Sequence, residues 1–204
     1  MTDRGGLLDC LRHSIIVCVG LLASAQALAQ APVTWDPSGV WSNNNGSIAL
    51  LLAGDALSFS YQSVFGQAAH ICDVAGVAGL EHDSIYHFVE DGSTIAIIVT
   101  EKSVRLQPVS GVPSFCGANW SGDEFPATRR KRPQRAVVTA SRSRFFVVMS
   151  SPPMQRKGYV VRGDVLEIVP VQHSEASQYV LARFRSRNGW IAGMLLSQTL
   201  ERHK

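Results

Sequence analysis

The chain has 204 residues, of which 46% are hydrophobic and 17% charged, with a formal net charge of +3. That length holds one large or two small domains and excludes a bigger assembly of them. A charge this small would also exclude a chain dominated by one sign, but it is the sum of two opposed blocks.

Residues 1–29 read as a cleaved export signal. Arg4 and Arg12 lie in a polar leading region, 15–25 is an apolar core, and Ala27-Leu28-Ala29 puts small residues at both recognition positions of a cleavage site, so the cut is expected after Ala29. A retained anchor fits less well, because Gln26, Gln30 and Pro32 interrupt the run and a spanning helix wants about 20 mostly apolar residues. Cys18 follows Ile15-Ile16-Val17, without the small residue a lipoprotein signal needs just before its cysteine. The expected product is soluble and exported, with no membrane insertion after cleavage. Periplasmic location is expected, and extracellular release stays open.

Residues 30–128 alternate rather than coil. The segments 48–53 and 56–61, joined at Gly54-Asp55, have the shape of a hairpin, with Leu57, Phe59 and Tyr61 on one face and Ser58 and Ser60 on the other. Further strands are predicted over 69–77, 84–89, 94–100 and 103–107, with Asp91-Gly92 marking a tight turn. No stretch after the signal sustains a 3.6-residue period, so an all-β fold of two small β-barrels is expected, with little helix. Cleavage leaves Cys72 and Cys116 in a compartment where thiols are usually oxidised, and a disulfide between them is predicted. Closing a loop of ~45 residues stabilises by about 4 kcal/mol if the effect is entropic.

Charge places the domain boundary. Residues 30–128 carry two basic and ten acidic side chains, whereas 129–204 carry fifteen basic and four acidic ones. The sign changes inside a turn-forming segment containing Arg129-Arg130-Lys131-Arg132. Residues 129–136 are read as a basic linker, between a first domain over 30–128 and a second over 137–204. Four adjacent cations attract phosphate, but export and the lack of a recognisable nucleic-acid fold argue against a nucleic-acid partner.

Two resemblances attach to these blocks. His70-Ile71-Cys72, Gly76-Val77-Ala78, Phe115-Cys116-Gly117, Gly122 and Phe125 resemble small secreted calycin-like β-barrels. Some similar periplasmic barrels inhibit lysozyme by plugging its cleft, and this chain departs from the pattern in having one cysteine pair. Gly163-Asp164 with Val165-Leu166-Glu167-Ile168, then Tyr179 to Phe184, then Gly189-Trp190-Ile191 resemble bacterial SH3-like domains across roughly 137–200. That resemblance implies a groove for peptidoglycan or peptides, or a purely structural attachment; Tyr179 stands where tryptophan is commoner. Independently of the family, Val180, Ala182 and Phe184 can bury on one face while Gly189 turns the backbone before Trp190.

Ligand-binding candidates follow from the same stretch. Arg183, Arg185 and Arg187 alternate along the predicted strand, about 7 Å apart, so they can grip an anion, blunt an edge, or dock the basic domain on its acidic neighbour. Trp190, Tyr159 and Tyr179 are either groove or packing residues, with Tyr159 the better groove candidate beside Arg156 and Lys157. Catalytic machinery is missing. No serine sits in a Gly-x-Ser-x-Gly elbow, and the carboxylate pairs Glu90-Asp91 and Asp123-Glu124 fall in predicted turns. Glu81-His82-Asp83 and His87 are metal-ligand types on diverging positions. No enzymatic activity, cofactor or metal is expected. The expected role is an exported binding protein whose SH3-like domain associates with peptidoglycan or a cell-envelope protein; the alternative is an inhibitor or immunity protein whose acidic domain meets a cationic wall-degrading enzyme.

Overall fold

The computed structural model describes residues 35–148 and 154–202. The export signal and its cut after Ala29 lie outside them. Among the described residues there is no α-helix, only three single-turn 3₁₀ segments, and no helix is long and apolar enough to cross a membrane.

The first sheet is an eight-stranded meander in chain order: β1 (Gly39–Ser42), β2 (Gly46–Ala53), β3 (Ala56–Phe65), β4 (His70–His82), β5 (Ile85–Glu90), β6 (Ser93–Val99), β7 (Ser103–Ser110) and β8 (Asp123–Pro126). Each strand pairs antiparallel with the next, as the short turns between all but β7 and β8 dictate. Asp91 and Gly92 both have positive φ, 47° and 77°, the backbone a two-residue hairpin turn requires. The sheet then curls until its ends nearly meet. The Asn43 side-chain amide donates to the Glu124 carbonyl at 3.0 Å. Beyond β8, Val40 and Lys131 exchange both backbone hydrogen bonds, at 2.8 and 2.7 Å.

Alternate residues point inward and fill this barrel. Trp41, Ile48, Leu50, Leu57, Phe59, Tyr61, Tyr86 and Phe125 are among its fully buried side chains. The Phe88 ring packs edge-on to Phe59 and lies over Gly76, where an added Cβ would sit 2.4 Å from it, so the glycine makes room for the ring. The Cys72–Cys116 disulfide ties β4 to the long β7–β8 connection.

The second sheet contains β9 (Gln134–Val138), β10 (Arg142–Phe146), β11 (Gln155–Val161), β12 (Val165–Pro170), β13 (Tyr179–Ser186), β14 (Gly189–Leu196) and β15 (Leu200–Arg202), in the order β11-β10-β14-β13-β12-β9-β15. It forms a half-barrel around Phe145, Val160, Leu166, Ile168, Val180, Ala182 and Leu195. The sheets therefore change over between Pro126 and Gln134, inside the charged segment. That segment is ordered: Lys131 bridges Val40, and Arg130 donates to the Asp36 and Ser38 carbonyls while its guanidinium lies over the Trp35 and Trp41 rings, 5.5 and 4.9 Å from their centres.

The two barrels share a packed joint. The outward residues Ala49, Leu51 and Ala75 of the first form one buried cluster with Val148, Val169, Tyr179, Leu181 and Met194 of the second. Polar groups border it. Ser60 Oγ accepts the backbone N–H groups of Gln172 and His173 at 2.9 and 2.8 Å, and Ser174 donates to the Asp73 carboxylate. Ser58 and Ser60, on the face opposite Leu57 and Phe59, are thus buried as well.

Candidate binding cleft at the barrel joint

β13 alternates between two interiors. Val180 and Ala182 enter the second barrel, while Tyr179, Leu181 and Arg183 face the first. Arg183 is 7% exposed; four of its five N–H donors are hydrogen-bonded, and its second terminal nitrogen also lies against Glu167. Nε donates to Glu167 Oε2 at 2.6 Å. One terminal nitrogen donates to Ser38 Oγ at 3.1 Å and to the Leu52 carbonyl at 2.5 Å. The other meets Asp36 Oδ2 at 2.5 Å and also Glu167. Glu167 is its cross-strand neighbour on β12, whereas Asp36, Ser38 and Leu52 come from the first barrel.

The segment 35–38 is shaped to deliver those acceptors. Asp36 Oδ1 accepts the Ser38 N–H at 2.9 Å, the Pro37 carbonyl accepts the Trp41 indole N–H at 2.9 Å, and Ser38 Oγ also accepts the Leu52 N–H. Burial opposes ionisation of Asp36, but hydrogen bonds from Arg183 and Ser38 outweigh it and hold the carboxyl below its ordinary value. The same carboxylates keep Arg183 charged against its own burial.

Around this ion cluster lie two adjoining hollows, of about 480 and 310 Å³, that share Glu167 and Arg183. The larger is walled by Trp35, Glu101, Arg130 and Arg132; the smaller by Arg135, Val165, Arg185 and Trp190. Trp190 is opposite Arg185 in the β13–β14 register and is 41% exposed. The guanidinium carbons of Arg183 and Arg185 lie 4.9 and 5.6 Å from its ring centre, which orients the indole face. Asp36, Glu101 and Glu167 face five guanidinium groups here. With Arg183 held by Asp36 and Glu167, the cations left to meet an incoming anion are Arg132, Arg135 and Arg185, none of which makes an ion pair with a described residue.

The other candidates disperse. Arg187 sits in the tip between β13 and β14, off the strand face. Tyr179 is buried at the joint against Phe146, and Tyr159 lies on β11 beneath Arg142, apart from the cleft-lining residues. His87 Nε2 meets Glu81 across the β4–β5 hairpin at 2.8 Å and His82 lies near Asp83; no group of three metal-ligating side chains is found among the described residues. Sequence reasoning missed Trp35, Arg132 and Arg135 as cleft residues. The cluster of arginines was visible, but nothing local says that it folds back on the first barrel.

No protein-family model, curated protein or solved structure matches this chain.

Proposed function

We propose that this is an exported, non-enzymatic binding protein of the cell envelope, whose second barrel holds peptidoglycan through the carboxylates of its stem peptides. The observation that carries the reading is the exposed Trp190 beside Arg185 and Arg135, on a floor made rigid by Arg183. Guanidinium groups bind carboxylates in bidentate fashion, and an open indole face stacks on a sugar ring or an apolar stem residue. The likeness of 137–200 to bacterial SH3-like domains points the same way, and the disulfide is compatible with export. Sedimentation with purified sacculi tests it. The protein should pellet, the pair Arg185→Ser with Trp190→Ala should lose roughly tenfold in retention, and Arg187→Ser should pellet normally. Full retention by the double variant would sink the assignment.

A second reading has an observation of its own. The β2–β3, β4–β5 and β6–β7 turns lie at one end of the first barrel and carry the exposed Asp55, Asp83 and Glu101. That acidic end suits the cationic cleft of a wall-degrading enzyme. Dose-dependent loss of lysozyme activity, removed by Asp55→Asn with Asp83→Asn, would favour inhibition over wall binding.

A further inference from the structure

On the far side of the second sheet, β11 ends the strand order and among the described residues pairs along its length with β10 only. An antiparallel ladder turns every second backbone N–H and C=O away from its partner. The Val161 N–H and C=O do so and are both taken by Asp164, at 2.8 and 3.0 Å, and the two-residue period turns the N–H and C=O of Tyr159 the same way, toward a partner. β11 has seven residues and no proline, with Tyr159 47% and Val161 41% exposed. Arg142 stacks over the Tyr159 ring at 3.8 Å, and Arg144, Arg156, Lys157 and Arg162 are exposed on β11 and its neighbours.

We propose that the outer edge of β11 takes up an extended acidic segment of a partner protein as an added strand. Backbone hydrogen bonds would supply the attachment and the cations its selectivity, as when an extended segment adds to an open sheet edge. A second copy of this chain is disfavoured as occupant, because two β11 strands would set Arg156 and Lys157 against the same charges. Asp164 sets one nearby carboxylate against Arg142, Arg144, Arg156, Lys157 and Arg162, so the edge stays net cationic.

Fluorescence anisotropy with a dye-labelled peptide of alternating valine and glutamate tests this on the full protein. Binding is expected for that peptide and not for its valine–lysine counterpart. N-methylation in one alternating frame should abolish binding, while the other frame leaves it intact. Lys157→Glu should weaken it roughly fivefold to tenfold, with thermal unfolding and sacculus pelleting unchanged. The latter separates this edge from the cleft. No binding to the valine–glutamate peptide, equal binding in both methylated frames, or equally tight binding of inorganic polyphosphate would overturn the proposal; the last two would reveal a surface that reads charge alone.

Discussion

In the first barrel the sheet returns on itself, with Asn43 bonded to Glu124 and Val40 bridged to Lys131, and its interior is filled by large aromatic and aliphatic side chains. In the second the sheet stops at β11 and β15, and one outer face, at Tyr179, Leu181 and Met194, is covered by β2 and β4 of its neighbour. The difference shows how a small sheet with a modest core reaches stability. Small domains bury too little of their own surface, and here the missing burial comes from a joint that also holds an ion cluster.

The largest effect should come from cutting the chain at the changeover. Residues 30–133 with the disulfide intact should unfold cooperatively, whereas 134–204 alone should lose near-UV circular dichroism and cooperative melting. A sharp independent transition for the second piece would break the comparison. Next, replacing Cys72 and Cys116 together by serine should remove about 4 kcal/mol, read from urea unfolding, because the cross-link closes a long loop in the unfolded chain. Leu181→Ala should cost about 3 kcal/mol by opening a cavity at the joint. A single shifted transition would mean the barrels unfold as one, and two transitions would mean that the second lets go first.

Arg183→Met should have the smallest effect, about 2 kcal/mol, because Asp36 and Glu167 are each more than 40% exposed in their side chains and can rehydrate when the arginine is gone. Its signature is in the pH dependence. The Asp36 carboxyl is depressed below 3.8 in the folded protein, so its contribution is complete above the unfolded value and is lost as pH falls through the folded one. The unmodified protein should therefore lose stability below about pH 4 more steeply than the Arg183→Met variant, which thermal melts across acid pH would read.

Much of the fold was legible. The Gly54-Asp55 and Asp91-Gly92 turns, the strands between them, the Cys72–Cys116 pair and the inward set of Val180 and Ala182 all stand as the residue pattern predicts. The joint was not. Ser58 and Ser60 look like solvent-facing residues, since a polar side chain opposite an apolar one usually is; here Ser60 is buried as an acceptor for Gln172 and His173. One signal was present. The unbroken apolar run in β2 marks a strand covered on both faces, Leu50 toward its own core and Leu51 toward the second barrel. The candidate arginines were also visible, but their equal spacing concealed unequal fates: Arg183 is enclosed, Arg185 lines the cleft, and Arg187 falls in a turn.

By itself the sequence determined the all-β class, the turns, which side chains share a face of each strand, and the place where acidic gives way to basic. These follow from neighbours a few residues apart, through the period of two and the backbone demands of glycine, asparagine and aspartate at turns. Only the tertiary structure decided what covers each face. Arg183 and Asp36 stand 147 positions apart, and whether a guanidinium meets solvent, a ligand or a partner carboxylate depends on how the two sheets pack, which no local pattern encodes.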